Sequence, residues 1–103
     1  MSYAVLWSSD HEPIHAGRLA LLPGSLVLEG STCGNSRRYE LDYDEIAGVG
    51  IGRGPSERLR GRPVALIRRA TGELLRVATL GGPGLLGELV ENVDAARSRT
   101  SLR

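Results

Sequence analysis

A chain of 103 residues has room for one domain around one core, and a domain of that size buries roughly two-thirds of its unfolded surface, enough to fold without staples. Hydrophobic residues make up 41% of it, which excludes wholesale disorder, and the single cysteine, Cys33, excludes an internal disulfide or a cysteine-built zinc site. The net charge of +1 excludes a strong overall pull toward nucleic acid or any other polyanion.

All basic residues are arginine and none is lysine, a usage that fits a GC-rich bacterial coding sequence. Aromatic side chains are few (Tyr3, Trp7, Tyr39, Tyr43), so Leu, Val and Ile must supply most of the core. Met1 to Trp7 has neither a charged start nor a long apolar run, so no signal peptide is expected. Apolar runs such as Leu19–Leu22 and Val64–Ile67 fall far short of the about 20 residues of a membrane helix. The expected location is the cytoplasm, with peripheral contact at a membrane as the alternative.

Short runs rich in Leu, Val and Ile alternate with Gly, Pro, Ser and Asp clusters, the pattern of a compact β domain. Tyr3–Trp7 reads as a first strand, followed by a polar loop over Ser8–Pro13. Residues 15–29 read as a hairpin turning at Pro23-Gly24, where proline presets φ and glycine accepts a positive one. Gly30–Ser36 has the composition of a loop. Arg37–Tyr43 then alternates, with Tyr39, Leu41 and Tyr43 on one face and Arg38, Glu40 and Asp42 on the other, which indicates a half-buried strand.

After a bend at Asp44-Glu45, Ile46–Ile51 is extended again, and Gly48, Gly50 and Gly52 suggest an edge, a bulge or a close backbone approach. Gly52–Arg62 is the longest segment expected to lack regular structure. Pro63–Arg69 and Glu73–Leu80 form a hairpin around Ala70-Thr71-Gly72. Beyond Gly81–Gly84, where Pro83 fits the first turn of a helix, the apolar period lengthens. Leu85, Leu89, Val93 and Ala96 form one stripe, so a helix is expected over residues 84–96 with Leu89 deeply buried. The domain is thus expected to span residues 1–96, with 97–103 a disordered tail.

Several constellations invite chemistry. Asp10-His11-Glu12-Pro13-Ile14-His15 gathers two imidazoles and two carboxylates, but a lone loop with no second cluster reads better as solvated, so no metal is assigned. Gly48-Val49-Gly50-Ile51-Gly52 misses the third glycine of a dinucleotide fingerprint, and the absence of lysine excludes a Walker A loop. Gly54-Pro55-Ser56-Glu57-Arg58 and Gly34-Asn35-Ser36-Arg37-Arg38 lack the closing glycine of a nucleophile elbow. No catalytic residue and no cofactor are assigned, and the chain is not expected to be an enzyme. A small metal-dependent enzyme at His11 and His15 is the last-ranked class.

The feature with most to offer is Arg53, Arg58, Arg60 and Arg62, four guanidinium groups in one segment with Glu57 as its one acid. Such a set suits a headgroup, a phosphopeptide or an acidic protein face. With no aromatic residue among them to stack on bases, nucleic acid is disfavoured.

About seven strands followed by one C-terminal helix resembles the pleckstrin-homology superfold, a bent antiparallel barrel plugged by the helix. Gly17–Leu28, Tyr43-Asp44-Glu45-Ile46-Ala47-Gly48-Val49, Arg62-Pro63-Val64-Ala65-Leu66, Gly72-Glu73-Leu74-Leu75 and the helix from Leu85 to Val93 resemble bacterial members of the pleckstrin-homology-like and GRAM-like group. Members that bind phosphoinositides usually carry Lys or Arg in the first loop, whereas Ser8-Ser9-Asp10-His11-Glu12-Pro13 holds two acids. The resemblance therefore implies a mostly β fold of that kind and a non-catalytic binding or scaffold module with a protein partner. The alternative is an anionic-lipid or membrane-surface adaptor acting through the Arg53–Arg62 loop, and homo-oligomerisation stays open.

Overall fold

The computed structural model describes residues 1–10, 12–82 and 84–101, with the backbone alone for Thr100 and Ser101. Seven strands, β1 (Ser2–Ser9), β2 (His15–Leu21), β3 (Ser25–Thr32), β4 (Asn35–Asp42), β5 (Ile46–Gly52), β6 (Val64–Arg69) and β7 (Leu74–Thr79), precede one helix, α1 (Leu85–Ser101). Neighbouring strands pair antiparallel in the order β4-β3-β2-β1-β7-β6-β5. β4 and β5 are therefore the two edges, although a one-turn 3-10 helix, Tyr43–Glu45, joins them directly. The fold is a mostly β, barrel-like small domain capped by a C-terminal helix.

Alternation sets the inner face. Tyr3, Val5 and Trp7 of β1 point inward with Leu19, Leu26, Leu28 and Leu41 of β2 to β4 and Ala65, Ile67, Leu75 and Val77 of β6 and β7. Leu89, Val93 and Ala96 of α1 complete this core, and Leu85 is half-buried beside them. Leu89 is fully buried, as the stripe predicts. Aromatic side chains contribute more than their number suggests: Trp7 and Tyr43 are the largest fully buried residues.

Two inward positions must be glycine. Gly17 and Gly30 face each other across β2 and β3, where a Cβ on Gly17 would sit 2.0 Å from the Glu29 carbonyl oxygen and one on Gly30 would meet the Trp7 indole at 2.9 Å. The space they vacate lets Trp7 Nε1 donate to the Glu29 carbonyl at 3.1 Å, which satisfies the buried indole.

Three expectations are corrected. Gly30–Ser36 is not a loop, because β3 runs to Thr32 and β4 starts at Asn35, with Cys33 and Gly34 at φ 47° and 82° between them. Two positive φ values in a two-residue turn match the twist of the flanking strands, so a tight hairpin replaces the loop. The helix does not stop at 96: it continues through 97–101, where Arg97 pairs with Asp94 at 2.8 Å one turn back. Leu102 and Arg103, the end of the expected tail, lie outside the described residues, as does Pro83. The third correction concerns Gly52–Arg62, below.

Candidate functional site

The segment between β5 and β6 is an ordered flap. Gly54 starts one tight turn, with the amides of Glu57 and Arg58 donating back to its carbonyl at 3.0 and 3.3 Å, while Glu57 Oε1 accepts from the Gly54 amide at 3.0 Å. Leu59 and Arg62 then exchange backbone hydrogen bonds of 3.1 and 2.9 Å around Arg60 and Gly61, whose φ values are 49° and 79°. Two such turns leave little of the segment loose. Composition alone, rich in Arg, Gly and Pro, hid them.

What holds the flap down is Leu59, at 2% exposure. The outer face of the sheet carries Leu6 of β1, Val64 of β6 and Ala78 of β7, and Leu59 closes over them with Ile14 and Leu66 at the margin. This is a second, smaller apolar core on the face that an open sheet would leave wet. Arg76 of β7 ties down the flap's first turn through Nη1 to the Ser56 carbonyl at 3.3 Å.

The four arginines divide into two kinds. Arg58 is part of the flap's frame, its Nε donating to the Arg53 carbonyl and its Nη1 to the Gly61 carbonyl, both at 3.0 Å. Arg62 donates through Nη1 to the Thr79 carbonyl at 3.3 Å, which fastens the flap to the end of β7. Arg53 and Arg60 are exposed, and neither side chain makes a hydrogen bond or ion pair with a described residue. Arg60 occupies a backbone conformation that normally falls to Asn, Asp or Gly.

Arg53 and Arg62 also line a cleft of about 510 Å³ between the flap and the start of α1, with Ile51, Pro63, Thr79 and Leu86. Gly81, Gly82, Gly84 and Gly87 form the rest of its described lining, so no carboxylate stands among those residues. Exposed guanidinium groups with no acid beside them can attract an anion, an effect confined to about a Debye length of 8 Å at physiological salt.

A second polar cluster has a different character. Arg69 of β6 donates through Nη2 to Glu45 at 3.0 Å, and through Nη1 to Glu73 at 2.7 Å and the Tyr39 hydroxyl at 2.6 Å. Tyr39 in turn donates to Glu73, and the guanidiniums of Arg37 and Arg69 lie 5.7 and 5.6 Å from its ring. The hydrogen bonds from Tyr39 and Arg69 hold the Glu73 carboxyl below its ordinary pKa. Burial and the Glu73 carboxylate push the Tyr39 phenol up. These groups come from β4, the 3-10 turn, β6 and the β6–β7 turn, so the cluster sews the two ends of the sheet together. Sequence spacing gave no sign of it, because its members lie up to 34 residues apart.

His15 belongs to the core. It is 4% exposed and stacks on Trp7 with ring centroids 4.5 Å apart. Among the described residues no three of His, Cys, Asp and Glu converge to hold a metal ion; His11, the other half of the pair considered from sequence, lies outside those residues. Nor is any helix of the described residues long and apolar enough to cross a membrane.

No family model matches the chain, and no curated protein matches it. Among solved structures it is similar to the C-terminal domain of an unknown protein from Leishmania infantum. The two superpose with a TM-score of 0.67 at 13% identity, over 94% of this chain and 81% of that one. A likeness at that identity speaks to the fold alone.

Proposed function

We propose that the domain is a non-catalytic, pleckstrin-homology-like binding or scaffold module that engages a protein partner with an acidic face through its arginine flap. What supports the family reading is the run of seven antiparallel strands followed by a helix that covers the bent sheet. The observation that carries the functional reading is the flap's division of labour. Leu59, Arg58 and Arg62 fix a rigid frame, and Arg53 and Arg60 are left on it without partners. A preformed frame loses little conformational entropy on binding, which favours affinity from few charges.

The test is a titration with poly-glutamate as the acidic probe, at low and moderate salt. Binding that weakens steeply with salt supports the reading, and no binding at low salt refutes it. The cleft beside α1 favours a second reading, an anionic-lipid adaptor, because two arginines line it and none of its described lining residues is acidic. Each arginine near an anionic membrane contributes about 1 kcal/mol. Co-sedimentation with phosphatidylserine vesicles, set against neutral vesicles, separates this reading from the first.

A further inference from the structure

A cleft of about 300 Å³ lies toward the C-terminal end of α1, away from the arginine flap. One wall is the β2–β3 turn, with Leu21, Leu22 and Pro23, which Met1 extends. The facing wall is α1, where the small residues Ala95 and Ala96 follow the bulkier Leu89 and Val93 and so leave room. Met1 and Leu22 are two of the four large hydrophobic residues left exposed among those described. Arg99 brings the one charged side chain of the described lining. It is exposed and makes no hydrogen bond or ion pair with a described residue. Where Arg97 finds Asp94 three residues back, Arg99 finds alanine both three and four residues back.

We propose that this cleft binds an aliphatic monocarboxylate, its hydrocarbon chain between the β2–β3 turn and α1 and its acid group on Arg99. Charge and hydrogen bonding select that occupant. A lone guanidinium offers two parallel N–H donors to one carboxylate. A phosphate monoester would bring about two negative charges, and the described lining holds no second cationic side chain. A peptide would need partners for its own N–H and C=O groups. The amides of Leu21, Leu22 and Tyr43 are already spent on the carbonyls of Met1, Ser25 and Gly24, at 2.9, 2.8 and 3.5 Å, and Pro23 has none. The Tyr43 hydroxyl donates to the Leu22 carbonyl at 2.6 Å, and Asn92 Nδ2 to the Tyr3 hydroxyl at 2.7 Å. A hydrocarbon chain asks for no such partner, and it covers the exposed Met1 and Leu22. The volume is at the small end of ligand cavities, roughly 300–1,000 Å³, which suits one short chain. The site shares no residue with the arginine flap, so it stands or falls separately from the reading of that flap.

The experiment is isothermal titration calorimetry with decanoate below its micelle concentration. Acetate has the acid without the chain, and decyltrimethylammonium has the chain with the opposite charge. The wild type should bind decanoate with a dissociation constant at or below about 1 mM, and the other two at least roughly tenfold more weakly. Arg99→Gln should weaken decanoate binding roughly tenfold. Ala95→Leu, which puts a branched side chain into the cleft, should abolish it. Both positions are exposed, so the circular dichroism spectrum and melting temperature of each variant should match the wild type. Absence of decanoate binding, equal binding of decyltrimethylammonium, or decanoate binding that survives either variant overturns the proposal. Tighter binding of trileucine than of decanoate overturns it as well, because the occupant would then be a peptide C-terminus.

Discussion

Replacing Leu59 with alanine separates the flap from the sheet it rests on. The side chain is 2% exposed and sits in a cluster of four buried residues, with Leu6, Val64 and Ala78. Leucine-to-alanine changes in cores cost about 2–5 kcal/mol, and a small cluster near the surface, able to collapse partly, belongs at the low end, about 2–3 kcal/mol. The main core, with Trp7, Leu28, Ile67 and Leu89 at its centre, does not include Leu59. The loss should therefore fall first on local opening of the flap. Trypsin reads that opening directly, because Arg58 and Arg60 lie in the segment and are followed by Leu59 and Gly61, not by proline. If the flap must open before it is cut, a loss of 2–3 kcal/mol accelerates cleavage roughly 30- to 150-fold. A cleavage rate within about twofold of wild type would refute the view that Leu59 pins the flap.

Leu89→Ala, at a fully buried position of α1, should cost about 2–5 kcal/mol in chemical denaturation and act on the whole domain; unchanged stability would mean that the helix does not hold the core. Gly17→Ala should be more damaging than any exposed glycine change, because its Cβ meets backbone at 2.0 Å and no side chain can swing away. Expression with a native circular dichroism spectrum and melting temperature would contradict the close approach of β2 and β3. Glu73 gives a pH signature. Its folded pKa is depressed, so the stabilisation is present above its unfolded value and disappears as pH falls through the folded one. The gap in stability between wild type and Glu73→Gln should be largest near neutrality and close in acid; a gap independent of pH would show that the carboxylate charge is not what matters.

Strands with clean alternation were legible in the sequence. Tyr39, Leu41 and Tyr43 turn inward and Arg38, Glu40 and Asp42 outward, since a period of two fixes the face once one residue is buried. The helix was legible at its start and not at its end. Arg97, Ser98 and Arg99 carry no apolar signal, yet backbone hydrogen bonding continues past them without one. Cys33-Gly34 and Arg60-Gly61 escaped because each fills the first positive-φ place of a tight turn with a residue other than Asn, Asp or Gly.

The candidate site was legible only in part. Four arginines in one segment were plain, but a single leucine among them carries no periodicity, so Leu59 gave no warning that the segment folds. Nor could spacing tell the structural pair, Arg58 and Arg62, from the unpartnered pair, Arg53 and Arg60, because their difference lies in which carbonyl oxygens the fold brings within reach. The Tyr39–Arg69–Glu73–Glu45 cluster depends on the curl of the whole sheet, which no local pattern encodes.

Binding by a rigid flap with two free arginines is tested most directly by comparing Arg53→Gln/Arg60→Gln with wild type for binding of poly-glutamate at low salt. The account predicts that the double variant loses the binding while its melting temperature and circular dichroism spectrum stay at the wild-type level, because neither side chain supports the fold. Undiminished binding by the double variant, or loss of the fold with it, would contradict the account.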